Sequence, residues 1–156
     1  MLRAALDTSI IVRMVIARPT SLAGKILQGL RDGDFAMVVS TPVIQEFEDT
    51  LKSPFLRRKH RMSDIQIDAF IYNLINLSVL TPGALRLDIP ALALRDPEDL
   101  KIVEAAVEGA AAYLVTQDKD LLSLEEWQNV RIVNVPRFYQ ILQSIRLAGP
   151  GLDPHL

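Results

Sequence analysis

Asp7, Glu46, Asp99 and Asp118 stand where carboxylates from distant parts of the chain are able to meet. Asp7 directly follows the apolar run from Ala4 to Leu6, and Asp118 follows Thr116 just beyond the apolar run from Tyr113 to Val115. Glu46 lies about one and a quarter turns into a helix expected to open at Thr41-Pro42. Asp99 falls in the first turn of a helix expected to open at Asp96-Pro97. Carboxylates packed close together repel, so a cluster of them either takes up protons or holds a cation. Mg²⁺ prefers carboxylate oxygens and retained water, and substrate phosphates often complete its shell. The chain has no Cys and two His, with His60 in a basic run and His155 near the end. Neither zinc chemistry nor a Ser-His triad is therefore expected.

Each acid also has a structural role open to it. Asp96 suits a helix N-cap, and Asp99, at N3, suits either the reciprocal half of a capping box or a metal ligand. Asp118 and Asp120 are each placed to cap a short helix through Leu121 and Leu122. Glu46, between Ile44 and Phe47, has a solvent-exposed helix position as its alternative. Asp7 has the fewest structural explanations.

The elements that would position these acids alternate along the chain. Runs at Ala4–Leu6, Ala36–Val39, Tyr113–Val115 and Val130–Val135 are short, apolar and rich in Val, the pattern of strands buried on both faces. Between them, Thr41-Pro42 reads as an N-cap and N1 pair opening a helix to about Lys52. Ser63 with Gln66 reads as a capping box before Ile67, Phe70, Ile71 and Leu74. The helix opened by Asp96-Pro97 buries Ile102, Val103, Ala106 and Val107 before Gly109, and Pro136 starts the last helix. This alternation predicts an α/β fold with right-handed crossovers and a parallel sheet, whose carboxyl edge binds ligands.

At 156 residues the chain is sized for one domain, expected over 1–148 with a loose tail over 149–156. Hydrophobic residues at 49 % and charged residues at 23 % exclude the disordered regime. No apolar run reaches membrane-spanning length, and Asp7 interrupts the N-terminus before a signal segment forms, so the expected location is cytoplasmic. The net charge of -2 does not advertise a nucleic-acid binder. The charges are segregated, however: Lys52, Arg57, Arg58, Lys59 and Arg61 cluster without an acid among them, while acids crowd the stretch from Asp96 to Glu126. A phosphate polymer held over a metal site would favour that arrangement. Arg57, Arg58, Lys59 and Arg61 are the expected phosphate contacts, on a loop between helices. Aromatic residues at 6 % offer no stacking platform for bases.

Three stretches resemble the PIN-domain family, and the likeness spans nearly the whole chain. Leu6-Asp7-Thr8-Ser9 is similar to its opening motif, and Ser40-Thr41-Pro42-Val43-Ile44-Gln45-Glu46-Phe47 to the second motif with its single Glu. Arg95-Asp96-Pro97-Glu98-Asp99-Leu100, running on to Thr116-Gln117-Asp118-Lys119-Asp120-Leu121-Leu122, resembles the third and fourth acid motifs. The resemblance implies a three-layer αβα, Rossmann-like domain with a mostly parallel sheet, and an endoribonuclease using Mg²⁺ or Mn²⁺. Carried over by position, Asp7, Glu46, Asp99 and Asp118 would be the catalytic acids and metal ligands, Asp99 preferred over Asp96 and Asp118 over Asp120. Thr8, Ser9 and Thr116 would orient carboxylates or water, with Asp96 and Asp120 in support. Many members have Asn where this chain has Ser9, a change expected to tune activity. The likeness is closest to toxins of toxin–antitoxin modules, which implies a small antitoxin partner and a homodimer. The helix from Ser63 to Leu77 is apolar enough to offer a dimer surface, although its expected place is the core.

Other readings fit less well. A haloacid dehalogenase-type phosphatase would want a second Asp at the position of Ser9, and no glycine-rich phosphate loop is present. The serious rival is a degenerate PIN domain serving as a scaffold or RNA-binding subunit, against which the complete acid set argues.

Overall fold

The computed structural model describes residues 1–90 and 96–149. The chain runs β1 (Arg3–Leu6), α1 (Thr8–Ile16), α2 (Leu22–Arg31), β2 (Ala36–Ser40), α3 (Thr41–Leu51), α4 (Pro54–His60), α5 (Asp64–Asn76), β3 (Ser78–Thr81) and α6 (Pro97–Glu108). It continues through β4 (Tyr113–Val115), α7 (Lys119–Leu124), β5 (Glu126–Trp127), β6 (Val130–Val133) and α8 (Val135–Ala148). The strands form one sheet in the order β3-β2-β1-β4-β6-β5, parallel throughout except for the β5–β6 hairpin. Helices flank this sheet in a three-layer α/β arrangement.

β1 lies inside the sheet, where Ala4, Ala5 and Leu6 are sealed from solvent between β2 and β4. α6 lies across β2, β1 and β4, and α1 packs on α2 and α3, with α8 against α2. The close seat of α6 depends on Gly109, where a Cβ would stand 2.1 Å from Cγ1 of Val38. Phe35, Phe138 and Tyr113 stack as an aromatic wedge, the first two edge-on at 5.1 Å. Among the described residues no helix is long and apolar enough to cross a membrane.

Several sequence expectations shift. The N-cap of α3 is Ser40, not Thr41: the Ser40 hydroxyl accepts from the Val43 N–H, freeing the Thr41 hydroxyl to donate to the Thr81 carbonyl at 3.4 Å. The last parallel strand ends at Val133 rather than Val135, because Asn134 caps α8 by accepting from the Arg137 N–H. The basic run is not a loop: Arg57, Arg58 and Lys59 lie in α4, started by Ser53-Pro54, and Arg61 is its left-handed C-cap. β3 and β5 extend the sheet beyond the four expected strands. Of the expected tail 149–156, residues 150–156 lie outside the described residues, as does Arg95 of the third acid motif.

Candidate active site

The carboxyl edge of the sheet is where β1 and β4 stop together. Leu6 pairs with Val115, and the Asp7 N–H extends that pairing by donating to the Val115 carbonyl at 2.9 Å. The Asp7 carbonyl then accepts from Ile10 and Ile11, so one residue both closes the strand and opens α1. This leaves the Asp7 side chain little choice of position.

Thr116 occupies the equivalent place after β4 and is fully buried. Its hydroxyl accepts from the Asp118 N–H at 3.0 Å and donates to Oδ2 of Asp7 at 2.8 Å. A hydroxyl has one proton, and the amide fixes which way it points, so Thr116 delivers that proton to Asp7. Burial raises the Asp7 pKa, and the neighbouring Asp118 adds to the rise. Thr116 and the peptide N–H groups of Thr8 and Ser9 oppose it.

Glu46, one helix away on α3, is half-buried and accepts from the Thr8 hydroxyl at 3.4 Å. Burial raises its pKa first, followed by repulsion from Glu98 and Asp7, with Lys101 and Thr8 pulling the other way. Asp99 is pushed up to about 6 by burial and by the charges of Asp118, Asp96, Asp7 and Asp120. Asp118 caps α7 with Oδ1, which accepts from the N–H groups of Asp120 and Leu121 at 2.8 and 3.2 Å, leaving Oδ2 uncommitted by that cap. Asp96 caps α6 by accepting from the Glu98 N–H at 3.0 Å and is exposed. Asp99, half-buried in the same turn, is the one of the two whose carboxyl is raised by burial and by the charges of Asp118 and Asp7.

The structure therefore brings Asp7, Glu46, Asp99 and Asp118 into one electrostatic neighbourhood, with Thr8 and Thr116 bonded to two of them and Asp120 at its margin. Ser9 is exposed and reaches Asp7 through its N–H. Among the described residues no three acid or histidine groups close into a ready-made metal cage. The donor set nevertheless suits a hard cation: it is all oxygen, and its members disfavour one another's charge, a repulsion that a divalent ion would cancel.

The basic run is differently employed. Arg57 pairs with Asp64 and donates to the Lys52 carbonyl, and the Lys59 ammonium sits 4.5 Å from the Phe55 ring centroid. His60 is a structural clasp, 2.8 Å from the Leu51 carbonyl through Nε2 while Nδ1 accepts from the Met62 N–H. Arg58 and Arg61 are exposed, and among the described residues no hydrogen bond or ion pair links the run to the acids. Sequence reasoning missed Lys101, whose ammonium influences Glu46 and pairs with Glu98 at 2.9 Å. Its place two residues after Asp99 was the available signal.

A family model described as PIN domain matches residues 3–120. A chain from the crystal structure of VapBC2 from Rickettsia felis bound to a DNA fragment from their promoter is similar in fold, with a TM-score of 0.54 and 18 % identity. The match covers 85 % of this chain and 98 % of that one. No curated protein matches the sequence.

Proposed function

The chain belongs to the PIN-domain family, and from that premise we propose that it is an endoribonuclease hydrolysing RNA phosphodiester bonds with Mg²⁺ or Mn²⁺, the toxin of a toxin–antitoxin module. The observation that supports this most is the buried Thr116 hydroxyl tying Asp7 to the Asp118 peptide, with Asp99 repelled by both acids. The hydroxyl satisfies a backbone amide and at the same time holds two acids side by side, a placement that a cation site would use.

In this reading Asp7, Glu46, Asp99 and Asp118 hold the cation. When bound, it would lower the pKa of a water and offset charge on the phosphate and leaving oxygen. The protein's own part is positional. Thr116 keeps one oxygen of Asp7 occupied, so the other faces the ligand side. The α7 cap does the same for Asp118, and Thr8 steadies Glu46. Products with a 5′-phosphate and a 3′-hydroxyl are expected. Arg58 and Arg61, exposed at the end of α4, remain candidates for distant phosphate contacts.

The fold likeness to VapBC2 supports a small antitoxin partner. A homodimer through α5 is also part of the reading, since that helix buries Ile67, Ile71 and Leu74 but leaves Ile65 and Tyr72 exposed. Sedimentation of the purified chain tests the dimer.

The open spacing of the acids favours one rival, a metal-free scaffold or RNA-binding subunit. Cleavage of a mixed single-stranded RNA panel with Mg²⁺, Mn²⁺ or EDTA, beside Asp7→Asn, separates the two. Metal-dependent cleavage absent from the variant is expected. Antitoxin-free protein that cuts under none of these conditions would leave the scaffold reading.

A further inference from the structure

Beside the acids, between the start of α6 and the segment after β3, lies a cavity of about 280 Å³. Pro42, Leu85 and Leu100 give it apolar walls, Glu104 a carboxylate, and Arg86 and Lys101 two cations. That volume is at the small end for ligand pockets, enough for one nucleoside unit rather than a stretch of chain.

The walls are fixed before any ligand arrives. Gly83, Leu85 and Leu87 point alternate N–H groups at α6. Glu108 accepts the first two at 3.0 and 2.6 Å, and Glu104 accepts the third at 2.8 Å. Two helix carboxylates thus stand in for a neighbouring strand. Gly83, at φ +76, allows the segment to press on Pro42, since a Cβ there would come within 2.6 Å of the proline ring.

The cations are less committed than the walls. Arg86 makes both of its bonds, to the carbonyls of Gly83 and Leu85, through Nη1, which leaves Nε and Nη2 for an anion. Lys101 bonds both oxygens of Glu98 in a pair nearly half exposed on each side, an arrangement of little net worth that a phosphate readily replaces. Both positive groups line the same cavity, so a single anion held in it can meet the two together. Pro97, Leu100 and Lys101 of the cavity wall belong to the same first turns of α6 that carry Asp99, so an anion held there lies beside the acid cluster.

We propose that this cavity is a guanine-nucleotide subsite for the RNA residue adjoining the scissile phosphate, with Arg86 and Lys101 holding its phosphate and Glu104 reading its base. This rests on the nuclease reading for its place in a reaction, but not for binding itself. Glu104 is 8 % exposed; the Leu87 N–H occupies its Oε2, and Oε1 gives the wall an acceptor. Guanine presents N1–H and N2–H side by side to such a group, whereas uracil presents one N–H flanked by carbonyl oxygens that a carboxylate repels.

The test is binding in EDTA, where cleavage plays no part: anisotropy of a labelled single-stranded RNA octamer, competed by guanosine or uridine 5′-monophosphate. Arg86→Gln and Lys101→Gln are each expected to weaken RNA binding about tenfold, as loss of a charged hydrogen bond does. Arg137→Gln, on α8, should stay within twofold, and guanosine monophosphate should compete at least tenfold better than uridine monophosphate. Equal weakening by Arg137→Gln, or none by the other two, overturns the phosphate site. Equal competition by the two nucleotides overturns the role of Glu104. Failure of metal-dependent cleavage with these binding differences intact would sink the nuclease reading and leave the subsite standing.

Discussion

Asp99→Asn offers a test in which a site residue reports on itself through stability. In the folded protein without metal, the Asp99 carboxyl is raised from 3.8 to about 6. The folded state therefore holds its proton more tightly than the unfolded chain. As pH climbs through the window from 3.8 to about 6 the unfolded chain ionises first, so stability falls across that window and stays lower above it. Taken at face value the difference costs ~3 kcal/mol. Asp99 is only half-buried, and solvent screening reduces that to about 1 kcal/mol. Asn keeps the shape without the charge. In EDTA at pH 8 the variant should be more stable than the native chain by about 1 kcal/mol, a rise in Tm of roughly 2–4 °C for a domain of this size. At pH 4 the two should melt together. Added Mn²⁺ should reverse the order at pH 8, since a ligand at 100 times its Kd stabilises by about 2.7 kcal/mol, and the variant has lost part of the site. Scanning calorimetry at the two pH values, with and without the ion, reads all of this. A variant less stable than the native chain in EDTA at pH 8, or two proteins that gain equally from Mn²⁺, would refute the reasoning.

Thr116→Val keeps the volume but takes the proton from Asp7, whose pKa then rises further, and orphans the Asp118 N–H. Stability should drop by about 1–3 kcal/mol in urea titration, and the acid limb of the cleavage profile should move to higher pH. Gly109→Ala forces a methyl into Val38 and should cost about 1–3 kcal/mol, with Val38→Ala in the same chain restoring part of it; denaturant midpoints decide. Glu108, whose carboxyl is held below its ordinary value mainly by the Leu85 N–H, stabilises the segment after β3 above its ordinary pKa, a contribution lost as pH falls through the depressed value. Glu108→Gln should accelerate hydrogen exchange at Gly83 and Leu85 about tenfold at neutral pH, while amides of β1 keep their protection.

Much of this arrangement was legible in residue types. β1, β2 and β4 are short apolar runs that end at polar residues, and the Ser63–Gln66 box does cap α5. β3 escaped because it follows α5 through a single cap residue, Leu77, with no turn signal between, so one apolar stretch covers a helix and a strand. β5 is two residues long, and its turn uses Gln128 and Asn129 at positive φ instead of a glycine. Ser40 and Thr41 are both competent caps, and only the demand of the Thr81 carbonyl assigns them. The basic run reads as a loop from its density of charge, yet Ser53-Pro54 is a sound helix start and the Ser53 hydroxyl accepts from the Leu56 N–H. For the site, the positions of the acids after strands were readable, but the bond joining Thr116 to Asp7 spans 109 residues and no local pattern encodes it. Lys101 and Arg86 are adjacent only because Glu104 and Glu108 draw the segment after β3 along α6.

That 109-residue span has a consequence for the timing of synthesis. Chains emerge from the N-terminus at roughly 5–20 residues per second. Asp7 and Glu46 are therefore made long before the strand that completes their surroundings. Until β4 docks beside β1, Asp7 has neither the Thr116 proton nor Asp118 beside it, and an incomplete chain on the ribosome cannot assemble the cluster. Under the proposed nuclease function, a chain wired in this way would be inert toward the messenger and ribosome that produce it for most of its own translation. Under the same proposal, cleavage would begin only when the domain is nearly whole, which is also the earliest moment at which the proposed antitoxin would find a folded surface to bind.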